Sequence, residues 1–247
     1  MIARRNGRYL PCVLVDLNTQ GDFLSTSGAC RVHNAETLVP AVRRVIAWAK
    51  WHHVPVISSI DSHRLTEAPH DGFPQHCIDG TQGQKKLPCT VFASHVRIEG
   101  DNTLAMPVDL FRRYQQVIFR KRTHDLFGNP KADRFLTQLP TEEYILFGVG
   151  LEFSIKALAL GLLARHKAVT VVADTCGFWN RNEANFALRQ MGAKGVSLIT
   201  VDELLDRRPR RRTRYPHRPG GGRNGTNGNG HLSKMFGGNG QGSVRSR

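Results

Sequence analysis

Residues 143–165, which read EYILFGVGLEFSIKALALGLLAR, contain the pattern that decides the fold. The apolar run over residues 143–149 predicts a buried strand, and the run over residues 155–165 predicts a short apolar helix. A Gly-Val-Gly turn joins them, so Ser154 falls on the first turn of the helix. Backbone N–H groups and the positive end of the helix dipole lie beside a side chain in that place, and both suit an oxyanion. The stretch therefore predicts a strand–turn–helix unit built for acyl chemistry.

The same alternation of strand and helix extends over most of the chain. We predict helices that include residues 38–49 and 182–191, with Asn34 as the cap of the first, and another helix that begins at Pro130. This alternation predicts a doubly wound, mostly parallel sheet with helices on both faces, a Rossmann-like three-layer sandwich that binds ligands at the carboxyl ends of its strands. We predict six strands, at residues 11–16, 54–60, 117–119, 143–149, 168–173 and 196–201.

The net charge of +15 is concentrated at one end of the 247-residue chain. Residues 207–247 carry 10 Arg, 1 Lys and 10 of the 24 Gly and no acidic residue, which leaves 24 basic against 20 acidic residues before them. A segment so basic and so poor in apolar residues does not bury a core. We therefore predict one α/β domain over residues 9–206 and a disordered Arg/Gly/Asn-rich tail over residues 207–247.

The composition argues against several other classes of protein. The five cysteines are odd in number and show no C-x-x-C spacing, so neither a disulfide framework nor a zinc finger is predicted. The first residues lack the long apolar region and the cleavage site of a signal peptide. The longest apolar run, residues 157–164, is far shorter than the ~20 residues that a membrane helix needs. We expect a cytoplasmic location and no membrane partner.

A metal-binding pattern follows the second predicted strand. Asp61 and His63 come directly after it, and His76 follows 13 residues later, within a long segment (residues 63–102) rich in Pro, Gly and His. Such long segments in a compact domain are functional or disordered. One carboxylate and two imidazoles at a strand end match the facial ligand set of a divalent metal. The alternative is a set of solvated loop histidines, since the chain has 11, and His70 is a rival ligand.

Three further polar residues stand at predicted strand ends. In a cleft, the charge of Lys121 would hold an anionic intermediate, although a surface lysine in a basic run is the alternative. Asp16 and Asn18 are two residues apart on the first strand, which puts both on the same face.

The Gly-Val-Gly turn also resembles the beginning of the dinucleotide-binding motif G-x-G-x-x-G. The sixth position of that motif is Phe153 here instead of Gly, which argues against dinucleotide binding.

Taken together, these motifs resemble the isochorismatase-like hydrolases, the cysteine hydrolase superfamily, and within it the nicotinamidases. The resemblance covers approximately residues 9–205. Residues 18–23, NTQGDF, are similar to the family's D-x-Q-x-D-F opening, and residues 76–81, HCIDGT, are similar to its H-C-x-x-G-T motif. Lys121 matches the family's catalytic lysine, and Asp174 fits its V-x-D-A motif, with Thr175 in the last place. Several motifs in this order imply the isochorismatase-like fold.

The resemblance also implies a set of functional residues. It implies a metal triad of Asp61, His63 and His76, with zinc as the expected ion and iron or manganese as alternatives. It implies that the turn at Val149 and Gly150 contains a cis peptide and forms the oxyanion hole. In the family, an Asp takes the proton of a Cys thiol, the thiolate attacks an amide carbonyl, and a Lys assists.

A substrate pocket is the last part of the site that the resemblance implies. Phe73 stands where an aromatic side chain stacks on a pyridine ring in nicotinamidases, and Phe23 is the candidate for the opposite wall. Both are also ordinary core residues.

The chain departs from the family pattern at two places. Ser154 occupies the position of the nucleophilic Cys, and on an ungapped reading Asn18 occupies that of the catalytic Asp. Asp16 takes that place instead if two residues are inserted. A serine hydroxyl needs a stronger base than a thiol, and Asn cannot accept its proton. Three routes stay open: Asp16 acts as the base, metal-bound hydroxide attacks, or the site binds a small molecule without turnover. Cys77 is no obvious substitute for the nucleophile, because the family carries a Cys there alongside its own nucleophile. For Cys176, just past the fifth strand, a buried structural thiol is expected, and a thiol that reaches the cleft is the alternative.

The resulting prediction is an isochorismatase-family, nicotinamidase-like hydrolase that cleaves the C–N bond of a small amide with metal assistance. The alternative is a catalytically silent protein of the same fold that binds a small heteroaromatic ligand or has a regulatory role. Both the hydrolase and the silent protein are compatible with a homo-oligomer.

Six arginines within residues 207–214 predict weak, nonspecific, salt-dependent nucleic-acid binding by the tail. A solubilising extension is the alternative reading of the tail, because it has few aromatic residues for stacking on bases.

Overall fold

Parallel strands alternate with helices along the chain, as the apolar periodicity predicts. The computed structural model describes residues 10–67, 72–100, 106–107 and 109–207, all of which belong to one compact unit. The predicted tail beyond Arg207 and the rival ligand His70 lie outside the described residues. The tail and the domain boundary at residue 206 therefore stay predictions.

Seven strands form one sheet in the order β3-β4-β2-β1-β5-β6-β7, and every neighbouring pair is parallel. The chain order reverses at the centre, because β1 has β2 on one side and β5 on the other. A cleft forms at such a switch point, outside the carboxyl ends of the strands. The strands are β1 Leu10–Leu17, β2 Val56–Asp61, β3 His95–Ile98, β4 Gln116–Lys121, β5 Thr141–Val149, β6 Ala168–Gly177 and β7 Ser197–Ile199.

The fold class is confirmed, but the expected strand count of six is one too low. The additional strand is β3, which lies at the edge of the sheet within the segment that shows no periodicity in the sequence. Its side chains are half-buried or exposed, since only β4 pairs with it. A four-residue edge strand with one charged and one imidazole side chain has neither the length nor the apolar alternation that predicts a strand.

Polar caps define the beginnings of several helices. The side chain of Asn129 accepts hydrogen bonds from the backbone of residues 131 and 132, and Pro130 takes the first helical position of α4. Thr200 and Glu203 form a capping box at α7. The helices are α1 Gly21–Leu24, α2 Ala35–Trp51, α3 Leu110–Arg113, α4 Pro130–Gln138, α5 Lys156–Ala164, α6 Arg181–Ala193 and α7 Val201–Asp206. None of these described helices has the length and apolarity to cross a membrane.

Asn34 is the N-cap residue of α2, as predicted, but its side chain makes no capping hydrogen bond. Instead, the Asn34 amide donates to the backbone oxygen of Cys176 at 3.0 Å and accepts from the backbone N–H of Phe178 at 3.1 Å. The Asn34 side chain therefore connects the beginning of α2 to the end of β6. Its donor and its acceptor are both used in these two bonds, so neither caps the helix.

The core consists of two apolar layers, one on each face of the sheet. Alternate side chains of β1 divide between them, with Val15 in one layer and Leu14 in the other. Helices α4, α5 and α6 cover the first layer, and α2 and α7 cover the second. Both faces of the central strands are thus buried, which leaves the carboxyl ends of β1, β2, β4 and β5 as the place where polar side chains converge.

Candidate active site

A buried ion pair joins the ends of two neighbouring strands. Asp61, the last residue of β2, is paired in the sheet with Lys121, the last residue of β4. The Lys121 ammonium donates a hydrogen bond to Asp61 Oδ1 and another to the backbone oxygen of Thr123 at 2.9 Å. Both charged side chains are almost fully buried, with 1% and 6% of their surfaces exposed for Lys121 and Asp61. The register of the parallel sheet therefore brings these two residues into direct contact.

Asp61, His63 and His76 form a buried cluster of metal-ligand type. One ligand atom from each residue lies within 4.8 Å of the others, and the two imidazole rings are 5.0 Å apart between centroids. His76 Nδ1 lies 2.7 Å from the backbone oxygen of Pro74. Because a carbonyl only accepts, Nδ1 carries the proton and Nε2 keeps the lone pair that a metal needs. The donor set and its burial fit a divalent cation.

Gln20 and Asp22, for which the sequence predicts no role of their own, hold this cluster in place. The side chain of Gln20 accepts from the Asp61 backbone N–H at 2.7 Å and donates to its carbonyl at 2.8 Å. Asp22 accepts from the backbone N–H of Cys77 at 2.6 Å, directly after His76. Both residues stand in the NTQGDF motif, which was the signal for them in the sequence. Their partners lie 41 and 55 residues away along the chain, so the spacing of the motif does not predict these contacts.

Asn18 and Ser154 meet at the centre of the site, each only 2% exposed. Asn18 has a left-handed backbone conformation (φ 51°) just after β1. Its amide nitrogen donates to Ser154 Oγ at 3.3 Å, and its Oδ1 accepts from the Ser59 hydroxyl at 2.7 Å. The Lys121 ammonium also donates to Ser154 Oγ, at 3.5 Å. The serine oxygen thus accepts from two donors at once.

The structure places Asp16 in a different network. Its carboxylate pairs with the ammonium of Lys86 at 2.9 Å and accepts from the hydroxyls of Thr19 at 2.9 Å and Ser58 at 3.2 Å. Burial lowers the pKa of Lys86, although the charge of Asp16 opposes this shift. Of the two candidates for the acid/base position, the fold brings Asn18 to Ser154 and commits Asp16 to Lys86.

The turn at Val149 and Gly150 differs from the expected form. None of the peptide bonds in the described residues is cis, so the cis peptide that we expected there is absent. Two glycines with positive φ make the turn instead, Gly148 at 119° and Gly150 at 94°. A Cβ at Gly148 would lie 2.1 Å from the carbonyl oxygen of Leu17, so β1 and β5 approach each other too closely for any side chain.

Ser154 itself lies on a π-helical turn, Leu151–Ile155, that leads into α5. Turns of this kind occur most often at functional sites. The neighbouring Glu152 fixes the turn against the next loop, because one of its carboxylate oxygens accepts from the backbone N–H groups of Trp179 and Asn180, both at 2.8 Å. The turn thus holds Ser154 beside the end of β5, where the sequence pattern predicts it.

Aromatic side chains line one wall beside the polar cluster. Phe73 packs against Trp179, with 4.7 Å between ring centroids, and Phe23 lies 5.2 Å from His76 and 5.7 Å from Trp179. A Cβ at Gly150 would lie 3.2 Å from the Trp179 ring and 3.7 Å from the backbone nitrogen of Ser154, so this wall adjoins the turn. Phe23 and Phe73 therefore both contact Trp179, and their roles as opposite walls of a substrate pocket stay a prediction.

Trp179 and Phe153 belong to the same wall, and sequence reasoning missed both. Phe153 lies 5.6 Å from Phe73 and stacks on His124 at 5.0 Å. A cavity of about 520 Å³ adjoins the wall and shares Phe153 and His124 with it. The sequence carries no signal for Trp179, because it lies six residues beyond the predicted strand 168–173 and outside any periodic pattern.

Comparison with known proteins identifies the family. The model of the Isochorismatase domain matches residues 12–203. The chain belongs to the isochorismatase family. Among curated relatives, the Escherichia coli nicotinamidase is 24% identical over 212 residues, covering 76% of this chain and 93% of the relative. The Saccharomyces cerevisiae nicotinamidase is 24% identical over 194 residues, covering 65% and 85%.

Solved structures support the same fold for this family member. An isochorismatase-like hydrolase from Alkaliphilus metalliredigens superposes with a TM-score of 0.63 at 18% identity, covering 78% of this chain and 97% of the other. The pyrazinamidase of Pyrococcus horikoshii in complex with zinc gives 0.60 at 19% identity, covering 77% and 99%. The resemblance drawn from the motifs is therefore confirmed at the level of family and fold.

Cys77 and Cys176 of this isochorismatase-family chain are not poised as nucleophiles. Burial raises the pKa of the Cys77 thiol, and nearby Asp61 and Asp22 raise it further. Burial also raises the pKa of Cys176, whose sulfur contacts the backbone oxygen of Val172 at 3.2 Å. Both thiols stay protonated near neutral pH and act as small apolar residues.

Proposed function

We propose that this protein hydrolyses the C–N bond of a small aromatic amide with the assistance of a divalent metal. The observation that carries the proposal is the position of Lys121, whose ammonium contacts both Asp61 of the metal-ligand cluster and Ser154. A substrate carbonyl between the cluster and Ser154 would lie beside a buried positive charge. That charge stabilises the negative charge that develops on the carbonyl oxygen during hydrolysis.

Asp61, His63 and His76 would hold the metal. A carboxylate with two imidazoles matches the ligand preference of zinc, and iron or manganese are the alternatives. A divalent ion in such a site lowers the pKa of water toward 7 and polarises a carbonyl. The nicotinamidase relatives and the zinc complex of the Pyrococcus pyrazinamidase support this assignment.

Ser154 takes part in the proposed reaction as a hydrogen-bond donor. Its oxygen already accepts from Asn18 and Lys121, and no carboxylate among the described residues accepts its proton. A hydroxyl in that environment keeps its proton, because both neighbours donate and neither is a base. The same hydroxyl is well placed to donate to the carbonyl oxygen of a substrate.

The aromatic wall supplies the place for the substrate ring. Phe73 and Trp179 present half-buried faces beside the polar cluster, and a planar ring packs favourably against such faces. We therefore expect amides of flat aromatic or heteroaromatic acids to be better substrates than aliphatic amides.

The experiment is an assay of ammonia release from a panel of amides, nicotinamide among them, by the full-length protein loaded in turn with zinc, manganese and iron. Turnover that follows the bound metal supports the proposal. Absence of turnover with every metal and every amide would contradict it, provided that the measured metal content is close to one ion per chain.

A catalytically silent, ligand-binding protein is the second candidate function. It is favoured by the Asn18 amide, which donates to Ser154 while the Ser59 hydroxyl occupies its oxygen, so the position of a family base holds a donor instead. The same panel separates the two candidates. Measurable binding of an aromatic ligand without any ammonia release supports the silent protein.

A further inference from the structure

The polar floor of the site contains donors where a hydrolase of this family would hold a carboxylate. The groups that face Ser154 are the Asn18 amide and the Lys121 ammonium. Among the described residues, the carboxylate in contact with this set is that of Asp61, whose charge is matched by the Lys121 ammonium that it binds. The floor around Ser154 therefore carries no unpaired negative charge.

Two of these groups have hydrogens left for a ligand. Ser154 accepts twice through its oxygen, and none of its hydrogen bonds to described residues uses its own proton. The Asn18 amide makes one hydrogen bond through its nitrogen, to Ser154, which leaves its second N–H. With the Lys121 charge beside them, two neutral donors point to a ligand group that only accepts.

We infer that the site selects a planar aromatic carboxylate over the matching neutral carbonyl compound, the carboxamide included. A carboxylate accepts hydrogen bonds through both oxygens, and the Ser154 hydroxyl and the second N–H of Asn18 are donors for them. A carboxamide offers one acceptor and turns its NH₂ group toward donors, where it finds no partner, and an unpaired buried polar group is costly. The aromatic wall of Phe73 and Trp179 receives the ring in either case.

This inference uses the pocket of the proposed function and concerns its product side. Hydrolysis of an aromatic amide gives the aromatic carboxylate and ammonia. A carboxylate side chain at position 18 would repel the negative charge of that acid, whereas the neutral Asn18 does not. Since the donors of the site favour a group that only accepts, the acid stays bound more tightly than the amide. Product inhibition follows if the protein turns over, and an acid-binding protein follows if it does not.

The test is isothermal titration of the full-length protein with nicotinate and with 3-acetylpyridine. The two probes have the same ring and nearly the same shape, but the second is neutral and cannot be hydrolysed. We expect the wild type to bind nicotinate at least tenfold more tightly. Asn18→Asp is expected to reduce this ratio at least tenfold by weakening nicotinate alone. Asp is suited to the left-handed backbone at this position, because it adopts that conformation more readily than most residues.

Two further variants keep the test decisive. Asn185→Asp makes the same chemical change on the exposed face of α6 and should leave the ratio unchanged. Ser154→Ala removes one donor with little change in volume and should lower the ratio about threefold, so the inference can be tested even if Asn18→Asp does not fold.

Three results would overturn the inference: equal or tighter binding of 3-acetylpyridine, equal weakening of both probes by Asn18→Asp, or no binding of either probe by the wild type. Ammonia release is measured on the same preparations. Its absence would count against the proposed hydrolase activity while leaving the binding ratio, and hence this inference, intact.

Discussion

The two halves of the candidate site relate differently to the family pattern. On one side, Asp61, His63 and His76 have the residue types that the nicotinamidase resemblance implies, and they converge within 4.8 Å. On the other side, the chain has Ser154 and Asn18 where the resemblance predicts a Cys and an Asp, and their contact is a hydrogen bond from an amide to a hydroxyl. Lys121 touches both halves. The proposed metal ligands thus agree with the predicted pattern, whereas a thiol beside a carboxylate, which would give a thiolate nucleophile, is replaced by a hydroxyl beside an amide.

The largest effect is expected when the metal-ligand half is broken. His63→Ala removes one of the three proposed ligands, and we expect loss of the bound metal together with a fall in amide hydrolysis of more than about 100-fold. Elemental analysis and ammonia release on the same sample measure both quantities. His33→Ala, which removes an exposed imidazole stacked on Phe178, is the matched control and should retain metal and activity. Equal metal content in the two variants would contradict the assignment.

A smaller effect is expected when the link between the halves is cut. Lys121→Met removes the charge beside Ser154 but retains most of the buried side chain, and we expect kcat to fall about 100-fold. Lys121→Arg keeps the charge and should recover part of this loss. If Lys121→Met lowers kcat no more than Lys121→Arg does, the charge of Lys121 has no part in the reaction.

Restoring the family pair should change the reactivity of the nucleophile half. We expect the double variant Asn18→Asp, Ser154→Cys to react with iodoacetamide about tenfold faster than Ser154→Cys alone, because Asp accepts the thiol proton and Asn does not. Burial raises the pKa of Cys12 and of Cys30 to about 11, so these two thiols react slowly at pH 7 to 8, and the wild type measures the background of all native thiols. Equal alkylation rates in the single and double variants would show that position 18 does not act as a base.

The tail should have the smallest effect on the site. A truncated protein that ends at Asp206 is expected to keep its metal content and its amidase activity within about twofold, because residues 207–247 supply none of the proposed site residues. Its RNA binding, measured in a salt titration, should be weaker than that of the full-length protein. If both forms bind RNA alike, the proposed nucleic-acid role of the tail is wrong, and changed activity would mean that the tail reaches the site.

The strand ends explain how much of the site could be read from the sequence. Asp61 and Lys121 are predictable because each stands at the end of a predicted strand, and the carboxyl ends of parallel strands meet at one edge. Trp179 and the edge strand β3 are not, since neither belongs to a periodic pattern. The ion pair between Asp16 and Lys86 was not predictable either. The two residues are 70 positions apart in the chain, and their contact depends on the path of the long segment that contains Lys86.

The most direct test of the account is the rate of ammonia release by Ser154→Ala, measured with matched metal content beside the wild type and His63→Ala. If Ser154 donates a hydrogen bond and does not attack, Ser154→Ala should keep kcat within about tenfold of the wild type and raise KM a few-fold. His63→Ala should lose activity with its metal. A folded, metal-loaded Ser154→Ala with no detectable turnover, beside an active wild type, would contradict the account and return Ser154 to the role of nucleophile.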